Sequence, residues 1–416
     1  MAEPVGNGQV ATERAGRPGP ANDLSDVAGL SVGHHHRGDG GYLTGTTVVL
    51  APPGGMVAGV DVRGGAPGTR ETDLLDPRAS VQRVHALVLT GGSAFGLAAA
   101  TGVTDELAEQ HIGFLVAVPG PGAPTAVVPL VPTAVLFDLG RGGDARRRPD
   151  PEFGRAAVRA ARAGTDPRLG VVGAGAGAVT CGLKGGLGMA SVRLAGGVTV
   201  AALVVVNAVG SPLDPRTGEF LAAALLQPAD SAGPLDRPDE AERHALARVL
   251  RSASSPLAAP AGGPGPRDAR NNPAGNNVAG HNPAGNNTAG DNAAGESRVW
   301  SAGPGPLNTT LAVVATDVEL TKAQCAKLAG TAHDGLARAL NPVPTPYDGD
   351  TVFGVSTAAL GPPDDQQWFD IVCAAADVLS RAVVRGLLAA RSTTTAVGRW
   401  PGYLDLAPSA RTRENP

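Results

Sequence analysis

Aromatic residues, cysteine and lysine are scarce in this chain. Phe, Tyr and Trp make up 3% of its 416 residues, and the only lysines are Lys184, Lys322 and Lys327, the other bases being Arg. Cys181, Cys325 and Cys373 are an odd number without metal-type spacing, so buried thiols are expected rather than a disulfide framework or a zinc site. Positive charge is lacking too. Lys+Arg number 34 against 38 Asp+Glu, a formal net charge of -4. No excess is left to hold a polyanion, so neither nucleic acid nor an anionic membrane is an expected partner. Long hydrophobic runs are also missing. The longest, such as 198–206, reach about half of the ~20 residues needed to cross a bilayer. The first residues show no basic region followed by an apolar stretch, so they read as a disordered tail over 1–22 rather than a secretory signal, and the cytoplasm is the expected location.

What is abundant is Gly (59) and Pro (36), together about 23% of the chain, close to the range where low complexity must be considered. Asn271 to Gly295 supplies it, as five consecutive units NNPAG, NNVAG, HNPAG, NNTAG and DNAAG. Such units cannot bury enough apolar area to offset the cost of ordering. The region 228–297, apart from a possible helix at 240–251, is therefore expected to be an insertion between two folded parts.

On either side of the insertion, two-residue alternation mixes with 3.6-residue periodicity, which predicts a single α+β layer domain over 23–390 with a C-terminal tail at 391–416. Strands are expected at 46–50, 86–89, 190–194, 198–207, 311–315 and 351–356. Ala195-Gly196-Gly197 has the composition of a hairpin loop, which delivers Asn207 to the end of a buried strand. Thr321 and Gln324 have capping-box spacing before a helix over 321–340, and a long helix is expected over 366–390.

Several motifs read as scaffold. GGSAFG at 91–96 lacks the glycine that a nucleophile elbow needs two residues after Ser93, so it is read as a tight strand-to-helix turn. GAGAGA at 173–178 has no acidic residue about 20 positions on to hold a ribose, so no dinucleotide is expected. His34-His35-His36 is read as a loop triplet, not a metal site. Two features remain. Thr309 opens a buried strand directly after the irregular SAGPGPL, and Asp348-Gly349-Asp350 places two carboxylates just before the strand TVFGVST, where they could activate a neighbouring nucleophile.

Taken together, DVAGLSVGHH, TGTTVVL, DVRGGAPGTRETDLL, LTGGSAFGLAAATGV, LKGGLGMASV, VVVNAVG, NTTLAVVATDV, AHDGLARAL and DGDTVFGVST resemble the L-aminopeptidase D-esterase family. That family includes β-peptidyl aminopeptidases and endo-type 6-aminohexanoate-oligomer hydrolases. The resemblance runs from about Asp26 to Ala390 outside the repeats, and the Asn-Thr pair, the DGD and the lysine of LKGG bring it nearer the nylon-oligomer hydrolases. It implies a four-layer αββα sandwich similar to that of N-terminal-nucleophile hydrolases. It also implies self-cleavage between Asn308 and Thr309, giving an α chain to 308 and a β chain from 309, usually assembled as tetramers of αβ units. Thr309 would be the nucleophile, Asp348 and Asp350 its carboxylate pair, Asn207 the oxyanion or substrate-binding asparagine and Lys184 the active-site lysine. The chain departs from the pattern at Phe137, where relatives have a tyrosine, and at Pro344, where many have histidine.

The chemistry follows from the residues as well. A threonine hydroxyl needs a base within reach. In the uncut chain the Thr309 oxygen would attack the Asn308 carbonyl, and hydrolysis of the resulting ester would free an amine that serves as base in later turnovers. No metal or organic cofactor is needed. Expected substrates are short peptides, β-peptides, amino-acid amides or ω-amino-acid oligomers. The alternatives are an acyltransferase resembling ornithine acetyltransferases and an uncut binding protein.

Overall fold

Alternation along one strand shows how the layers are arranged. Between 199 and 206, Val200, Ala202, Val204 and Val206 belong to one buried apolar cluster and Ala201, Leu203 and Val205 to another, so both faces of this strand are covered. In the computed structural model, which describes residues 16–119, 125–231, 233–253 and 308–411, ten strands make two sheets. They are β1 (Ser31–Arg37), β2 (Thr44–Leu50), β3 (Val57–Val62), β4 (Gly68–Arg70), β5 (Ala86–Thr90), β6 (Thr133–Val135), β7 (Gly186–Arg193), β8 (Thr199–Val206), β9 (Leu311–Thr316) and β10 (Thr351–Ser356). The sheet orders are β1-β2-β5-β6-β4 and β7-β8-β9-β10-β3. Each sheet is antiparallel except for one parallel pair, β5 with β6 and β9 with β10.

The helices cover the outer faces. α1 (Ala98–Glu109) and α2 (Pro151–Ala163) pack against each other, with α2 on β1 and β2. After α3 (Glu240–Ala253), α4 (Lys322–Ala339) and α5 (Asp365–Ala389) pack on the second sheet, and a short α6 (Tyr403–Leu406) follows. Three apolar clusters fill the gaps. Val48, Val88, Val103 and Val158 lie between α1, α2 and the first sheet, Leu87, Leu89, Leu203 and Val313 between the sheets, and Val204, Val314, Leu328 and Leu379 under α4 and α5. This is the expected four-layer αββα sandwich. A fully buried Leu or Val contributes roughly 1.5–3 kcal/mol, so the inter-sheet cluster is a main source of stability. The close seat of α5 depends on glycine: a Cβ on Gly188 would lie 1.9 Å from the Ala382 carbonyl oxygen. No described helix is long and apolar enough to cross a membrane.

Several boundaries differ from expectation. Residues 1–15 lie outside the described residues, but 16–22 are not a loose tail: Arg17 exchanges backbone hydrogen bonds with Arg193, and Asn22 is buried against Asp230. Polar partners far away in sequence hold this segment. The insertion is narrower than 228–297, because Leu246 and Leu250 of α3 belong to the core. Its repeats lie outside the described residues. The stretch after 390 is folded as well, with a hairpin at Thr393–Thr395 and Gly398–Trp400 and with Tyr403 buried against the ring of Phe220. The histidine triplet sits on β1, paired with β2, and not in a loop. His34 is buried with its Nδ1 2.9 Å from Thr47 Oγ1, and burial lowers its pKa to about 4.

Candidate active site

Three neighbouring strands of the second sheet end at one place. Asn207 follows β8, Asn308 and Thr309 precede β9, and Asp348 to Asp350 precede β10. The pairing of the strands continues past their ends: the Thr309 N–H donates to the Asn207 carbonyl at 2.7 Å, and Asn308 bridges Asp348 in parallel. Asn207, Asn308, Thr309, Asp348 and Asp350 are all buried. Register alone thus brings together residues that are far apart in the chain.

The Thr309 hydroxyl lies against the peptide bond that precedes it. Its Oγ1 donates to the Asn308 carbonyl at 2.5 Å, and the Gly349 N–H donates to the same oxygen at 3.2 Å. An N–H aimed at a carbonyl oxygen stabilises the negative charge that develops there on attack. Glycine is required at 349, because a Cβ would sit 2.8 Å from Thr309 Oγ1 and 2.7 Å from the Ala66 carbonyl oxygen.

The two carboxylates are held differently. Asp348 accepts from Val209 N–H at 3.3 Å and from Thr345 N–H at 3.0 Å, yet burial raises its pKa. Asp350 Oδ1 accepts from Thr310 N–H at 2.7 Å, and the Thr310 side chain also favours the charged carboxylate, while among the described residues the buried Oδ2 makes no well-formed hydrogen bond. Burial, and then the adjacent Asp348 charge, push Asp350 up to about 7. A carboxyl group that titrates near neutrality can both accept and return a proton.

Two basic side chains bond carbonyls of the glycine-rich turn at 173–178. The Lys184 ammonium is fully buried and donates to the carbonyls of Gly175, Ala178 and Gly185 at 3.1, 2.7 and 3.0 Å. Burial, then the nearby Arg141 charge, lower its pKa to about 7. Lys184 makes no described hydrogen bond or ion pair with Asp348 or Asp350. Arg141 instead links the parts of the site. Its Nη1 donates to Asn207 Oδ1 at 2.5 Å and to the Gly177 carbonyl at 2.6 Å, and its Nη2 donates to Asn308 Oδ1 at 3.1 Å. Burial lowers its pKa to about 10, opposed by the Asp138 charge, so it stays a cation at neutral pH. The Asn207 side chain is largely engaged: its Oδ1 also accepts from Val179 N–H, and its Nδ2 donates to the Phe137 carbonyl at 3.3 Å.

A pocket of about 210 Å³ opens onto Asn308 and Thr309, and its walls include Pro67, Ser93, Ala94, Phe137 and Tyr347. Ser93 lies in the tight turn that follows β5, with φ 51 after Gly92 at φ 85, so the motif read as scaffold also lines the pocket. Reading the sequence missed Arg141 and Tyr347 and took Ser93 for scaffold. The scarcity of lysine drew attention to Lys184, but nothing marked one arginine among many.

Comparison with known proteins agrees with this geometry. Residues 22–400 match Peptidase family S58. An uncharacterized aminopeptidase of Mycobacterium tuberculosis is 41% identical over 408 residues, covering 94% of this chain and 99% of that protein. The 6-aminohexanoate-oligomer endohydrolase of Paenarthrobacter ureafaciens is 28% identical over 379 residues, 85% of each chain. Among solved structures, the Burkholderia sp. beta-aminopeptidase superposes with a TM-score of 0.61 at 21% identity, covering 96% of this chain and 97% of that one. The L-aminopeptidase D-Ala-esterase/amidase of Ochrobactrum anthropi, described as a variant of the Ntn hydrolase fold, gives 0.61 at 18% identity, with 93% and 92% covered. A matched region that includes the sheet ends, the buried threonine and the carboxyl pair makes the conclusion direct: the chain belongs to peptidase family S58 and is a hydrolase of peptide or other linear amide bonds.

Proposed function

We propose that the chain cuts itself between Asn308 and Thr309, and that Thr309, freed as an N-terminus, is the nucleophile of the mature hydrolase. The observation that carries this reading is the buried Thr309 hydroxyl bonded to the carbonyl of its own preceding residue, with Gly349 N–H on the same oxygen. In self-cleavage, Oγ1 adds to the Asn308 carbonyl carbon while its proton passes to a base. The carbon–nitrogen bond then breaks as the base returns that proton to the Thr309 nitrogen, which leaves as the amine, and an ester joins Asn308 to Oγ1. Water hydrolyses the ester, leaving an Asn308 carboxylate and a free Thr309 amine.

In turnover the substrate carbonyl takes the place of Asn308, and the Thr309 amine serves as base. Asp350, titrating near neutrality with one oxygen in no well-formed hydrogen bond, is suited to receive the proton in the first cleavage and to hold the ammonium afterwards. Asp348 keeps Asp350 high by repulsion. Gly349 N–H and the remaining Asn207 Nδ2 hydrogen donate to the oxyanion, a role typically worth ~3 kcal/mol. Lys184 acts at one remove, fixing the 173–178 turn whose Gly177 carbonyl accepts from Arg141, which in turn bonds Asn207.

The substrates on this reading are short peptides, β-peptides, amino-acid amides or ω-amino-acid oligomers, and the working form is a homo-oligomer of αβ units. Hydrolysis of amino-acid anilides with and without an added amine acceptor, in wild type and Thr309→Ala, tests the proposal. It predicts hydrolysis products in wild type and none in the variant. Transfer to the acceptor as the dominant outcome would replace hydrolysis by acyl transfer, and an unaffected Thr309→Ala would refute the nucleophile.

A further inference from the structure

The first acyl group that Thr309 takes is that of Asn308, so whatever surrounds the Asn308 side chain is a template for the residue on the acyl side of a substrate. Resting on the self-cleavage reading above, we propose that Arg141 forms the acyl-side recognition subsite of the mature enzyme, selecting a residue whose side chain presents a carboxamide or carboxylate oxygen one methylene from its α-carbon.

The bonding of the guanidinium supports this division of labour. Nη1 is spent on oxygens that stay with the scaffold, the Gly177 carbonyl and Asn207 Oδ1. Nη2 is spent on Asn308 Oδ1, the one partner that cleavage turns into part of a new chain end. When that end leaves its seat, Nη2 loses its partner while Nη1 keeps the group in place. The backbone of Arg141 is pinned as well: its N–H donates to the Asp138 carbonyl at 3.3 Å, and its carbonyl accepts from Thr395 Oγ1 at 2.7 Å. No carboxylate lies within ion-pair distance of Arg141 among the described residues. Asp138 acts on the guanidinium only through its charge, the side-chain hydrogen bonds described for Arg141 all end on neutral carbonyl oxygens, and a cationic donor left without an acceptor in a buried site is costly. An oxygen brought by the substrate restores the bond, and an anionic one makes it charge-assisted. The remaining walls, Pro67, Ala94 and Phe137, offer no second charge.

The test uses the full-length protein and the p-nitroanilides of L-asparagine, L-aspartic acid (through its α-carboxyl) and L-leucine. Leucine resembles asparagine in shape and lacks the oxygen. The expected result is a kcat/KM for the asparagine and aspartate anilides about tenfold or more above leucine. Arg141→Lys, which keeps the charge but not the planar fork, should narrow the preference, bringing the ratio of the asparagine and aspartate values to the leucine value measured in the same variant down to about twofold or less. Equal values for asparagine and leucine in a chain that has cut itself overturn this inference alone. A wild-type chain that stays uncut overturns the self-cleavage reading beneath it. If the mature protein cleaves none of the anilides, the same comparison is read on the precursor: Asn308→Leu should self-cleave about tenfold or more slowly than Asn308→Asp, and equal rates refute the subsite.

Discussion

Two of the buried groups of charged side chains in this sandwich are built in opposite ways. Under α5, Arg381 donates to both oxygens of Asp230, at 2.7 and 2.8 Å, and Asn22 Nδ2 and Gln227 N–H bond the same carboxylate. Burial alone would raise Asp230, yet those bonds and the Arg381 charge hold it below the usual carboxylate range. At the ends of β8, β9 and β10, Asp348 and Asp350 lie beside each other, and among the described residues neither makes an ion pair and one oxygen of Asp350 makes no well-formed hydrogen bond. The first cluster spends its charge on holding α5, the second sheet and the 16–22 segment together. The second keeps a carboxyl group near neutrality, at a cost in stability, next to a hydroxyl. On the proposed reading, equal burial does not mean equal purpose: the paired Asp230 serves the structure and the unpaired Asp350 serves the chemistry.

Exchanging each aspartate for asparagine separates these roles. Asp350→Asn should lower self-cleavage and hydrolysis by ~10²–10⁴-fold, measured as precursor half-life and as kcat/KM, and should not destabilise the fold. Asp230→Asn should destabilise the protein by about 3–5 kcal/mol, because it strands Arg381 in the core. In molecules that do fold, it should leave the cleavage rate near that of wild type. Denaturant titrations of both variants, read beside processing gels, check the contrast. If Asp350→Asn unfolds the chain and Asp230→Asn abolishes cleavage in folded protein, the division fails.

The pH dependence sharpens it further. The pKa of Asp350 is raised when folded, so between its ordinary value of 3.8 and about 7 the folded state binds more protons than the unfolded one, and stability falls as pH rises through that window. Asp230 has a lowered pKa, so its contribution is present above the ordinary value and is lost as pH falls through the folded one. Activity should rise with pH to a limb near 7, and Asp348→Asn should move that limb down by about one unit. A limb that stays in place would show that Asp348 does not set the proton affinity of Asp350. Gly349→Ala should slow cleavage by about tenfold or more, because its methyl group meets Thr309 Oγ1. The smallest effect is expected for removal of 271–295, which should leave the self-cleavage rate unchanged within about twofold.

Much of the frame was legible in the sequence because it rests on local rules. The apolar runs of β8, β9 and β10, the 195–197 turn and the Thr321–Gln324 capping box announce themselves over a few residues. The resemblance then supplied the layers that periodicity alone could not order. The rest depended on partners distant in the chain. Arg141 reaches Asn207 across 66 positions and Asn308 across 167, and no local pattern marks such a residue. The 16–22 segment and the histidines of β1 were misread for the same reason, since the Arg193, Asp230 and β2 contacts that fix them come from elsewhere.

The most direct test of the whole scheme is the intact mass of the purified wild-type protein under denaturing conditions. Two chains that meet between Asn308 and Thr309 are the predicted result, and they would place the scissile bond where the threonine hydroxyl bonds the carbonyl that precedes it. A single uncut chain of 41.4 kDa, stable on incubation near neutral pH, would contradict it.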